Sequence, residues 1–224
     1  MPVDTVFPST QQTWVEAELA RGSSGRDAIN DHVMSRYAGP LEVYFHGSSF
    51  VSMGVAQEFV NGFFASRLAR DGYLEAWQES NLRLHRWLIN GFIFYLREQL
   101  KNKSLSTIDC EDLDESAKVA GPVEAFERAW AKDILSDACK NASTKCLEQN
   151  RGDDWVVFKH HYIDGHAYRW VEANLGWDAV RAGSMCRFAT NVLRHEIEGL
   201  LYKEGIPVSE IQIEMARLLE LLSP

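Results

Sequence analysis

Apolar residues recur every three or four positions through almost the whole chain, and the strict alternation of a half-buried strand is absent. That period commits the chain to helices. The sharpest case is Arg83-Leu-His-Arg-Trp-Leu-Ile-Asn-Gly-Phe-Ile-Phe-Tyr-Leu-Arg-Glu-Gln-Leu-Lys101, which read as a helix has two unlike faces. Leu88, Ile89, Phe92 and Leu96 share one side and suit a core. Arg83, Trp87, Asn90, Phe94, Arg97 and Lys101 share the other. A solvated face does not ordinarily carry Trp and Phe among its cations. Two readings follow: a helix buried on both sides, or a surface that stacks on unpaired bases while its Arg and Lys neutralise phosphates.

The remaining segments follow the same period. Residues 10–20 predict a helix ended by a Gly22-Ser-Ser-Gly25 turn, and residues 26–37 a second, stopped by Gly39-Pro40. A third begins at Leu41 and breaks near Gly47. Residues 55–70 place Val55, Phe59, Phe63 and Leu68 on one side, and the Asp71-Gly72 turn with a loop to Asn81 leads to the two-faced helix. Between Lys103 and Pro122 the period disappears into an acidic run, Asp109 to Glu115, which predicts a flexible linker. Beyond it come a helix over 123–147 (Phe126, Trp130, Ile134, Leu135 and Ala138 inward), then helices over 154–163, 167–175 and about 180–203. An amphipathic helix over 208–222, with Ile211, Met215, Leu218, Leu219 and Leu222, closes the chain. Its leucine stripe either caps the C-terminal domain or docks on the first domain or a partner.

The expected fold class is therefore all-α. Two helical domains, at 8–103 and 123–203, are joined by an acidic linker at 104–122 and followed by a helical extension at 204–224. With 46% hydrophobic residues in 224, such domains can build real cores. No apolar run approaches the roughly 20 residues of a membrane span, and the N-terminus lacks a basic region before an apolar one, so a cytoplasmic protein without a membrane partner is expected. The four cysteines, Cys110, Cys139, Cys146 and Cys186, are scattered, which suits a reducing compartment. His160, His161 and His166 have no cysteine pair at ligand spacing, so no metal or cofactor is expected. A net charge of −9 argues against a protein that coats nucleic acid non-specifically, and any DNA contact must be focused.

A short helix, a turn at Gly176 and a longer helix have the order of a helix-turn-helix. Ser184, Arg187, Asn191 and Arg194 fall on one face of the second helix, with Met185, Ala189, Val192 and Leu200 behind. Arg and Asn are the side chains that make bidentate contacts to guanine and adenine.

An aromatic-basic helical domain, an acidic linker and a helix-turn-helix, in that order, resemble RNA polymerase sigma factors of the extracytoplasmic-function type, and most closely a planctomycete-type branch with a C-terminal extension. Phe7-Pro-Ser-Thr is similar to that branch's Phe-Pro-Thr-Thr, and Ala56-Gln-Glu-Phe-Val-Asn-Gly-Phe-Phe-Ala65 to its Ala-Glu-Asp-Leu-Thr-Gln-Glu-Phe-Phe-Ala. Arg70-Asp-Gly-Tyr-Leu74 resembles Lys-Asp-Phe-Leu, and Arg83-Leu-His-Arg-Trp-Leu88 resembles Arg-Phe-Arg-Ser-Phe-Leu. Pro122-Val-Glu-Ala-Phe-Glu-Arg-Ala-Trp130 is similar to Pro-Glu-Arg-Leu-Phe-Glu-Arg-Arg-Trp, and the Ile206–Leu222 tail to the branch's Leu-rich end.

The resemblance implies a non-enzymatic specificity subunit for transcription initiation. Gln57, Glu58 and Asn61 would face the clamp helices of the core polymerase's largest subunit. Trp87 and Phe94 would stack on the melted strand, Arg83, Arg86 and Arg97 would hold phosphates, and Asn90 would make polar contacts. Ser184, Arg187, Asn191 and Arg194 would read the distal duplex, and an anti-sigma or other regulatory protein is a further partner of the type. The chain departs from the pattern in two places. The family's acidic pairs are reduced to Gln57-Glu58 and Asn61-Gly62, and Asn191-Val-Leu-Arg-His195 replaces a dense Arg run. These departures support the alternative of a degenerate sigma-like module that binds polymerase or a regulator without opening a promoter. An enzyme is not expected, because there is no Gly-rich phosphate loop and no His-Glu-x-x-His.

Overall fold

The computed structural model describes residues 13–104 and 120–223, and every regular element among them is helical. The sequence folds as α1 (Trp14–Leu19), α2 (Ser23–Gly47), α3 (Ala56–Phe63), α4 (Tyr73–Glu79), α5 (Leu84–Ser104), α6 (Ala120–Glu148), α7 (Gly152–Phe158), α8 (Tyr168–Leu175), α9 (Ala179–Lys203) and α10 (Ile211–Leu222). Single 3-10 or π turns over Ser49–Met53, Phe64–Leu68, Lys159–Ile163 and Val208–Glu210 adjoin them. No helix among the described residues is long and apolar enough to cross a membrane. The Phe7 motif, Cys110 and the acidic run fall outside the described residues.

Two compact units divide at 132/133 and 201/202, inside α6 and α9, rather than at the expected linker. The described part of the linker prediction is also corrected at its end. Ala120-Gly121-Pro122 opens α6, because a proline in the first helical turn loses no intrahelical hydrogen bond.

In the first unit, Thr13 caps α1 through a capping box: its hydroxyl accepts from the Glu16 N–H, and Glu16 accepts from the Thr13 N–H at 2.7 Å. The expected Gly22–Gly25 turn is present but ends at Gly22 (φ +75°), and α2 then starts at Ser23 and runs through Gly25; the expected break at Gly39-Pro40 does not occur. Gly25 lies in the helix, where a Cβ would collide with the Glu18 carbonyl of α1, so glycine allows the two helices to approach closely. Pro40 costs about 3 kcal/mol in a helix interior. One unbroken buried stripe offsets that cost: Ile29, Val33, Tyr37, Leu41, Tyr44 and Phe45, all at most 2% exposed.

The register of α3 is also corrected. Ala56, Val60, Phe63 and Phe64 are buried, whereas Val55 is 58% exposed and Phe59 is only half-buried, stacked on Phe45. The π turn over Phe64–Leu68 shifts the face and brings Leu68 inward. The expected loop before α5 holds a helix, α4, anchored by Trp77, whose indole N–H donates to the Leu82 carbonyl at 2.8 Å. Leu88, Ile89, Phe92 and Leu96 of α5 are fully buried, and Phe92 packs edge-on against Phe63 and Tyr44. Gly62, a mid-helix cost in isolation, has a reason here: a side chain at that position would collide with the Tyr95 hydroxyl of α5.

The C-terminal segment belongs to this first unit. Glu204, 1% exposed, bonds His32 at 2.9 Å and accepts from the Tyr37 hydroxyl, with Arg36 Nε 3.7 Å away. Burial and the Glu204 charge push the Tyr37 phenol well above its ordinary range. Ile211 and Leu218 of α10 are buried as expected, but Leu219 is 52% exposed and Glu214, 2% exposed, turns inward instead. The reason is Arg83, whose guanidinium reaches Glu214 at 3.3 Å and also pairs with Glu210.

The second unit packs Val157 of α7, Val171 of α8 and Ala182, Met185 and Cys186 of α9 into one core, covered by Tyr168, Trp170, Leu175 and Trp177. Gly176 ends α8 at φ +75°, a backbone that glycine adopts without penalty. Asp178 then starts α9, its carboxylate accepting from the Val180 and Arg181 N–H groups at 2.9 Å each. The helix–turn–helix order over 168–203 is therefore present, with a turn of three residues, 176–178.

Candidate nucleic-acid interface

The outer face of α5 divides into two parts. Toward its N-terminus the cations are engaged. Arg83 pairs with Glu210 and Glu214 of the tail, and Arg86 meets Glu127 of α6 at 2.6 Å. Glu127 is itself 4% exposed and takes Arg217 of α10 at 3.6 Å. These two arginines, expected to hold phosphates, are paired with carboxylates in this structure. Their carboxylate partners come from segments distant in sequence, which helical periodicity does not reveal. Between them His85 is buried flat against the Trp130 ring, with centroids 4.4 Å apart. Burial, reinforced by Arg217, Arg86 and Arg83, pushes its pKa down to about 3.

Further along, the face is open. Trp87 is half-buried against Tyr73 of α4, whereas Asn90, Arg97 and Lys101 are exposed and Phe94 is 63% exposed. Trp87, Asn90 and Phe94 line a groove of about 510 Å³. Its other walls are Arg67, Arg70 and Asp71, from the turn after α3, Gly72, Tyr73 and Leu82 around α4, and Gly91 of α5. Arg67 lies 5.7 Å from the Phe94 ring centroid and pairs with Glu98, and Arg70 is exposed. Gly91 lets α4 come close, since a side chain there would collide with the Tyr73 hydroxyl.

Two polar atoms at this groove, Trp87 Nε1 and the Tyr73 hydroxyl, are buried with no hydrogen-bond partner among the described residues. A buried unsatisfied donor costs about 1–3 kcal/mol. The site is therefore aromatic in its floor and carries Arg67, Arg70 and Asp71 at its rim. Such a surface suits a flat, hydrogen-bonding, negatively tethered ligand. The sequence reading missed Arg67, Arg70 and Tyr73, because they enter from a turn and a helix outside the α5 stripe. Arg70-Asp-Gly-Tyr-Leu74 carried the signal for two of them.

The other expected residues occupy surfaces of their own. Gln57, Glu58 and Asn61 are exposed on α3. In the second unit Ser184, Arg187, Asn191 and Arg194 are all exposed along α9, with Met185 and Ala189 buried behind and Val192 and Leu200 half-buried. Compared with protein-family models, with curated proteins and with solved structures, the chain matches none.

Proposed function

We propose that the chain is a sigma-type specificity subunit that captures an unpaired promoter base in the groove between α4 and α5. The observation that carries this reading is the groove itself, with Trp87, Tyr73 and Phe94 in one cleft and Arg67 and Arg70 at its rim. At about 510 Å³ it lies within the roughly 300–1,000 Å³ of small-ligand sites and accepts a single nucleotide. Gln57, Glu58 and Asn61 serve as the surface toward core polymerase in this reading. Ser184, Arg187, Asn191 and Arg194 contact the distal duplex, and the role is non-catalytic.

A second reading has an observation of its own. Arg83 and Arg86, which a strand-capturing face would use, are neutralised by Glu210, Glu214 and Glu127. A module that keeps the scaffold to bind polymerase or a regulator, without promoter opening, accounts for that. Reconstituted core polymerase with a genomic fragment pool separates the two. The first reading expects promoter-specific transcripts that disappear with Trp87→Ala. Association with core but no transcript from any fragment supports the second.

A further inference from the structure

We propose that His160, Asp164 and His166 form a binding site for one zinc ion in the second unit. Their ligand atoms lie within 4.8 Å of one another. His160 Nδ1 and Asp164 Oδ2 are already 2.9 Å apart, yet this close approach lacks hydrogen-bond alignment, and the nitrogen is buried without a hydrogen-bond partner among the described residues. Tetrahedral zinc, with bonds of about 2.0–2.2 Å, sets its donors roughly 3.3 Å apart. Reaching that spacing takes an opening of the 2.9 Å His160–Asp164 pair and a closing of the wider separations, which are within 4.8 Å.

The backbone holds this set in place. The π turn over Lys159–Ile163 puts His160 and Asp164 on one side, and Gly165, at φ +76°, reverses the chain so that His166 returns to them. His166 is fixed at both backbone atoms: its N–H donates to the His160 carbonyl at 2.9 Å, and its carbonyl accepts from His161 Nδ1 at 2.7 Å. His161 lies outside the converging set, its ring stacked on Tyr168 with centroids 4.0 Å apart. The Trp170 ring lies parallel to His166 at 4.0 Å and 5.0 Å from His160, an aromatic wall that fixes both imidazoles and excludes water from one side. Two imidazoles and one carboxylate suit zinc and its neighbours rather than calcium or magnesium, and they leave a fourth position for water or a partner's side chain.

The test uses the full chain stripped with chelator and then titrated with Zn²⁺ against a chromophoric competitor, with Co²⁺ as a spectroscopic stand-in. One equivalent should bind, with a cobalt spectrum of nitrogen and oxygen ligation. His166→Gln and Asp164→Asn should each weaken binding at least about tenfold while the helical circular dichroism is retained. Zinc should raise the melting temperature of the native chain and not that of His166→Gln. Should His160→Gln fail to fold, His166→Gln alone decides, since that ring is partly exposed. Absence of saturable binding, an affinity unchanged by His166→Gln, or a thiolate-to-cobalt charge-transfer band would overturn the proposal.

Discussion

The two cationic helix faces, on α5 and on α9, look alike in sequence and differ in the structure. Each carries arginines and an asparagine at three- and four-residue spacing. On α9, Ser184, Arg187, Asn191 and Arg194 are all exposed. On α5, Arg83 and Arg86 are drawn to carboxylates of α6 and α10, while Trp87, Asn90 and Phe94 border an open groove with two further arginines. Periodicity gives the side of a helix on which a residue lies. It does not say which distant segment returns to cover that side.

The largest effect that can break this comparison concerns the tail. If Glu204 anchors it to α2, Glu204→Ala leaves His32, Tyr37 and Arg36 around a buried gap. Loss of one partner from such a network costs about 3–5 kcal/mol. Chemical denaturation should show that loss, and a change under about 1 kcal/mol would mean the anchor is idle. The next effect is steric. Gly62→Ala should destabilise by about 1–3 kcal/mol through overpacking against Tyr95. Tyr95→Phe, which removes the colliding hydroxyl, should recover most of it.

Acid provides a third test of the engaged half of α5. The pKa of His85 is near 3 in the fold and near 6.5 in the unfolded chain, so the unfolded chain binds the extra proton first. Its contribution is fully present above pH about 6.5 and is lost as pH falls from there toward about 3. In a series of urea titrations, His85→Phe should flatten that part of the stability–pH curve. The last effect belongs to α9: under the proposed reading, Arg187→Ala should weaken specific duplex binding by about 1–3 kcal/mol, relax its sequence preference and leave stability unchanged.

The helices were legible because a period of three or four over ten or more residues is a local signal, as in Phe126, Trp130 and Ile134 of α6. Pro40 was misread for the converse reason: a local breaker is overridden when both flanks bury one continuous stripe. Val55 was placed inward because it was counted into the helix, whereas it is the extended residue that precedes α3, and the helix then buries Ala56, Val60 and Phe63. The candidate groove was half legible. Trp87, Asn90 and Phe94 lie on one stripe, whereas Arg67 and Tyr73 join them only when three elements meet. His160, His161 and His166 were discounted for want of a cysteine pair, and Asp164 was not weighed with them. A spacing of four and two around a glycine turn was the signal that could have found them.

The central claim is that the open half of α5, and not the engaged half, meets unpaired bases. Fluorescence anisotropy of a labelled single-stranded promoter oligonucleotide with core polymerase and the chain tests it most directly. The account predicts that Trp87→Ala weakens binding by about 1–3 kcal/mol, tenfold or more, while Arg83→Ala leaves it unchanged. Equal weakening by Arg83→Ala, with Trp87→Ala silent, would contradict it.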